Sequence, residues 1–162
     1  MPFERIFDTA ENVQVKWSKP CALSEAKHNG SCQSSNCLYK LMGEYNGHFK
    51  LFYIGKSETR CVHKRLRAAD HLRKQAEIQS AHKHHRLMVS VGILSPNPTK
   101  TALNAIERLL IYAHGANPDF KRFINKIGVY NHNVSVDYSI KNLGFKQDGM
   151  YREVGLGMYY RK

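Results

Sequence analysis

Acidic residues are scarce in this chain, and long apolar runs are missing. Thirteen Asp and Glu stand against 25 Lys and Arg, a formal charge of +12 over 162 residues. The isoelectric point is near 9.7. Neutralising phosphates releases counterions, so such a surface favours a polyanionic partner, nucleic acid first among them. No stretch approaches the roughly 20 apolar residues of a membrane span. The opening residues Met1 to Gln14 carry Glu4, Asp8 and Glu11 and lack the apolar core of a secretory signal. A cytoplasmic protein with no membrane association is the expectation. Cysteine is confined to Cys21, Cys32, Cys37 and Cys61, with no Cys-x-x-Cys pair. Free thiols in a reducing compartment are the simple reading. The alternative is a zinc site drawn from these four, with His28 or His63 replacing one. Internal repeats and a long linker are also missing, and an apolar fraction of 42% is ordinary for a folded domain.

Against those absences stands a dense block of positive charge. Arg60 to Arg86 holds eight Lys or Arg and five His against two acids. Ser18 to Asn36, rich in Ser, Asn, Gly, Lys and Cys, reads as an irregular arm. Two apolar runs follow, Leu38 to Met42 and Phe49 to Ile54, and Asn46-Gly47 between them is a strong hairpin signal. Apolar positions 62, 66, 69, 72 and 76 predict one helix over 62–76. Leu87 to Leu94 is strand-like and stops before Pro96. Thr101 can cap a second helix with Ala102, Ala105, Ile106, Leu109, Leu110 and Ala113 on its apolar face. A short third helix is expected from Asp119 to Ile127, and the glycine-punctuated end reads as β structure. The class is therefore α+β.

Several residues on these elements carry chemistry. Cys37-Leu38-Tyr39 lies on the first hairpin strand, and Tyr53-Ile54-Gly55-Lys56-Ser57 on the second, with thirteen residues between the tyrosines. Arg65, Arg67 and His71 follow on a basic helix. Glu107 interrupts the apolar stripe of the next helix, and a carboxylate near a core costs several kcal/mol unless a cation compensates. A salt bridge to Arg108 or a nearby lysine would be the plain structural explanation. Likewise Tyr39 and Tyr53 could be ordinary strand aromatics, and Lys56 and Arg67 solvated charges.

Together the set resembles the GIY-YIG nuclease superfamily over roughly Asn36 to Gly128, with Cys and Leu replacing glycine and isoleucine in the first motif. The resemblance implies a small three-stranded antiparallel sheet flanked by helices as the catalytic core (36–128). An N-terminal arm (1–35) and a C-terminal β extension (129–162) would complete one domain. It also implies a metal-dependent DNA endonuclease of restriction type. A repair or mobile-element nuclease, or an inactive nucleic-acid-binding module of the same fold, are the alternatives. Mg²⁺ or Mn²⁺ would sit on Glu107. Tyr39, or else Tyr53, would activate water, with Lys56 lowering its proton affinity and His71 positioning or relaying a proton. Residues four apart share a helix face, which favours Arg67 over Arg65 beside His71, although the choice between the two stays open. Lys64, Arg65, Arg73, Lys74, Lys83, His84 and Arg86 are expected to track phosphates. Asn117 and Asn125 compete for a supporting role. Cutting both strands would require a homodimer or sequential nicking.

Overall fold

A computed structural model describes residues 11–115, 138–155 and 159–161. Eight strands form one sheet: β1 (Glu11–Trp17), β2 (Cys21–Ala22), β3 (Cys37–Tyr45), β4 (His48–Ser57), β5 (Arg86–Ser95), β6 (Tyr138–Gly144), β7 (Glu153–Gly155) and β8 (Tyr159–Arg161). Their order across the sheet is β4-β3-β5-β1-β6-β7-β8, with short β2 also on β5. Among the described residues three α-helices, α1 (Val62–Leu66), α2 (Ala69–Ala81) and α3 (Lys100–Gly115), and two 3₁₀ turns, Leu23–His28 and Gly30–Gln33, cover its faces. Among the described residues no helix is long and apolar enough to cross a membrane.

The expected small three-stranded antiparallel sheet is therefore corrected. β4, β3 and β5 do pair antiparallel, but the free edge of β5 takes β1 antiparallel from Gln14 to Trp17. β1 in turn pairs parallel with β6 over seven residues. The physical reason is that β5 carries buried side chains on both faces, so an unpaired second edge would leave its backbone groups unsatisfied. Glu11–Trp17 of the expected arm and Tyr138–Gly144 of the expected C-terminal extension are thus inner strands of one mixed sheet. Val13, Val15 and Trp17 alternate inward on β1, and the Trp17 indole donates to Asn142 Oδ1 of β6 at 2.9 Å.

The hairpin forms at Asn46-Gly47, whose φ values of 51° and 78° are those of a two-residue type I′ turn. Within it Leu41 faces Tyr53 while Met42 faces Leu51, so Phe52 is an extra residue, a β-bulge. The bulge puts Phe52 and Tyr53 on the same face, with Tyr39 and Leu41. That face packs against α1, α2 and the 3₁₀ turns. The opposite face, with Trp17, Leu38, Met42 and Ile54, packs against Leu103, Ile106 and Leu110 of α3. Thr99, not Thr101, caps α3, its hydroxyl accepting from Ala102 N at 3.1 Å.

The single expected helix over 62–76 is broken. α1 ends at Leu66, and Ala68 is extended at ψ 146° before α2 begins. The break turns α2 so that His71 and Ile78 point inward, while Leu72 of the expected stripe is 52% exposed. The expected helix Asp119–Ile127 and both asparagines, Asn117 and Asn125, lie outside the described residues.

Candidate active site

β4 ends the sheet, so its outer edge is where the two covering layers can meet. A cleft of about 310 Å³ opens there, lined by Tyr53, Lys56, Glu58 and Arg60 from β4 and the loop after it, Arg65 from α1 and Glu107 from α3. Tyr53 and Lys56 project to opposite faces of β4 because they are three apart on one strand. The cleft therefore wraps around the edge.

Tyr53 is the tyrosine that faces the cleft. Tyr39 is fully buried behind it, the rings 6.1 Å apart. The Tyr39 hydroxyl meets His71 Nε2 at 2.5 Å. Burial raises the Tyr39 phenol well above its usual range, and only Arg65 among its main neighbours opposes this. Burial likewise holds His71 down to about 4, with Arg65 and Lys74 adding repulsion, so the ring is neutral at physiological pH. On the other side of the ring, the Gln75 amide nitrogen stands 3.4 Å from Nδ1 and donates to the Leu66 carbonyl at 2.8 Å. Gly55 makes the pair of tyrosines fit. A Cβ there would lie 2.5 Å from the Tyr39 hydroxyl and 2.7 Å from the Tyr53 ring.

The cations arrange themselves differently from the sequence expectation. Lys56 pairs with Glu58 and donates to Asn104 Oδ1 of α3, so neither tyrosine has it as a hydrogen-bond partner. Lys74 of α2 serves Tyr53 instead, donating to its hydroxyl at 3.2 Å and lying 4.8 Å from the ring centre. Arg65 enters the cleft, held by both oxygens of Asp70 at 3.1 Å. Arg67 does not. It caps α1, is exposed, and lines a separate hollow. The shared-face argument for Arg67 and His71 assumed one continuous helix, and the break after Leu66 removes that premise.

Glu107 is half-buried. Among the described residues no ion pair or hydrogen bond engages its carboxylate. Burial pushes it up to about 7, against the pull of Lys56, Arg108 and Lys74. The salt bridge to Arg108 is not formed among the described residues. No three His, Cys, Asp or Glu side chains group as a metal site among the described residues. One carboxylate in a polar cleft still suits Mg²⁺, which keeps most of its waters and takes its remaining ligands from substrate phosphate. The donor chemistry fits such an ion.

Of the residues expected at phosphates, Lys64, Arg73, Lys83, His84 and Arg86 are exposed on α1, α2, the following loop and the start of β5. Asn104, Glu58, Asp70 and Gln75 escaped the sequence reading. Asn104 had a signal, since a mid-helix asparagine three residues before Glu107 shares its face and is a poor helix former. The four cysteines are free thiols, and burial pushes Cys32 and Cys37 up to about 12. The chain matches no family model, no curated protein and no solved structure.

Proposed function

We propose that the protein is a divalent-metal-dependent endonuclease that hydrolyses DNA phosphodiester bonds at the β4 edge. The observation that carries this reading is the half-buried Glu107, without an ion-pair or hydrogen-bond partner among the described residues, lining one cleft with Arg65 and Tyr53. A carboxylate, a cation and a phenol around an open polar cleft match the three needs of in-line hydrolysis: a metal site, a charge clamp and a base. Sequence-specific cutting of restriction type is the finer form of the proposal.

Mg²⁺ or Mn²⁺ on Glu107, when bound, would supply charge stabilisation at the phosphate and the leaving oxygen. Arg65, held in place by Asp70, takes the extra negative charge on the phosphate oxygens in the transition state. Lys56, tethered between Glu58 and Asn104, adds positive charge at the other wall. Tyr53 takes the proton from the attacking water. It does so as a phenolate, its oxygen met by the Lys74 ammonium at 3.2 Å and by the charge of Arg65 in the same cleft, while Tyr39 and the neutral His71 ring pack behind it and hold it in place. Tyr53 thus replaces Tyr39 as the group that meets water.

The test is incubation of the purified protein with supercoiled plasmid, with and without Mg²⁺. Nicked and then linear DNA should appear only with the metal, and Glu107→Gln should abolish both while still binding duplex. Metal-independent conversion, or an active Glu107→Gln, would sink the proposal. A second reading, an inactive DNA-binding module, draws on the low-lying His71 and the buried Tyr39, and intact plasmid in every lane would favour it. A homodimer is proposed for concerted double-strand cleavage, with linear product at half-reaction as its sign.

A further inference from the structure

A second concave site lies beside α1, away from the cleft. It holds about 250 Å³, with a floor of Leu23, Leu66 and Leu72 and a rim of Lys27, His63 and Arg67. The apolar floor is open to water, since Leu72 is 52% exposed. The rim carries two permanent cations, Lys27 and Arg67, and no acidic residue lines the hollow. Among the described residues neither Lys27 nor Arg67 has an ion-pair partner. His63 is held below its usual range by burial and then by Arg67, Lys27, His28 and Lys64, all positive or basic. Glu25, the acid of the same 3₁₀ turn, does not line the hollow. A hollow that gathers charge of one sign and has no counter-charge of its own is complementary to an anion. The apolar floor asks for more than a bare anion: an unpolar body attached to it.

The neighbouring cleft narrows the choice. Arg65 and Arg67 are two residues apart at the end of α1, yet one lines the cleft and the other this hollow. A single strand crossing α1 would meet both. We propose that the hollow binds a backbone phosphate flanking the scissile one on the same DNA strand, with its nucleoside against Leu23, Leu66 and Leu72. This rests on the nuclease reading for the identity of the strand. The ligand chemistry, a phosphate ester with an apolar body, is shared by a free nucleotide, so the experiment separates the two.

Binding of a short labelled DNA duplex to the full chain is measured in EDTA, where no cutting occurs, across a salt series. The double variant Lys27→Gln/Arg67→Gln changes two exposed positions and should melt like wild type. It should bind about tenfold more weakly, with a log–log salt slope shallower by about one to two units. Leu72→Glu should also weaken binding. In wild type, duplex should move the NMR titration of the His63 ring to higher pH, because a phosphate stabilises the imidazolium. Inorganic phosphate and a nucleoside monophosphate, tested alone, should move it far less. Unchanged affinity and slope in the double variant, or a His63 titration that duplex leaves in place, overturns the proposal. A monophosphate that saturates the shift as tightly as duplex does so too, in favour of a free nucleotide. The nuclease reading fails separately: duplex bound through this hollow with plasmid left uncut by Mg²⁺ removes the chemistry and keeps the site.

Discussion

At the scale of single residues, Glu107 ties the proposed activity to a cost in stability. Its carboxyl, ordinarily near 4.5, stays protonated to about 7 in the folded chain. A raised folded value contributes stability that is complete below about 4.5 and is lost as pH rises through about 7. Glu107→Gln should therefore melt at a higher temperature than wild type at about pH 8, and level with it at about pH 4. Mg²⁺ should raise the melting temperature of wild type at about pH 8 and leave the glutamine variant unmoved. Thermal melts across pH, with and without the ion, check both; equal curves for the two proteins would mean the carboxylate is already satisfied. Gly55 offers an independent probe. A methyl there overlaps two packed tyrosines, so Gly55→Ala should cost about 1–3 kcal/mol and reduce turnover more than substrate affinity. Near-ultraviolet dichroism of the tyrosines should change with it. Turnover and dichroism that both match wild type would show that the rings do not need their present spacing.

Among the elements, the interrupted helix puts Arg65 in the proposed catalytic cleft and Arg67 outside it. Arg65→Gln should lower kcat at saturating duplex by about 10²-fold or more, as loss of a transition-state clamp does. Arg67→Gln should chiefly raise KM. Plasmid-nicking kinetics for both variants distinguish them, and a larger kcat loss in Arg67→Gln would return the catalytic role to the helix end. This element also marks where the sequence stopped being legible. Asn-Gly turn chemistry is local, and the hairpin follows from it. The apolar face of α3 follows from its period, and Glu107 stands out because it violates that period. The spacing 62, 66, 69, 72, 76 was helical too, yet Leu72 faces water. Nothing local forbade a continuous helix at Arg67-Ala68; the contacts that accompany the break, Arg65 with Asp70 and Gln75 with the Leu66 carbonyl, only exist once the chain has folded. The bulge at Phe52 was equally invisible, since one extra residue leaves no mark on composition.

Across the whole molecule, long-range pairing outranks the local segments. β1 carries a clean alternation in Val13, Val15 and Trp17, but its partners are β5 and β6, far along the chain, and single-sequence periodicity says nothing about partners. Trp17 joins the two ends of the chain through Asn142, which in turn donates to the Tyr151 carbonyl at 3.0 Å. Trp17→Phe keeps the ring but strands the Asn142 acceptor, and should destabilise by about 1–3 kcal/mol. Chemical denaturation should register this as one cooperative transition at lower denaturant. A biphasic curve would mean that the outer strands melt apart from the rest.

Lys40, next to Tyr39 on β3, gives this architecture a temporal meaning. Its ammonium is fully buried and its hydrogen-bond partners are the Phe145 carbonyl at 3.1 Å, Gln147 Oε1 at 2.7 Å and the Met150 sulfur at 3.3 Å. A ribosome has therefore polymerised every side chain named in the cleft by Glu107, yet must add about forty more residues before the lysine beside Tyr39 meets its hydrogen-bond acceptors. Until then the amine keeps its water, and closing the core over it without those acceptors would cost several kcal/mol. A chain cut short before Phe145 would hold every residue of the proposed cleft and still lack the acceptors that settle Lys40 beside Tyr39.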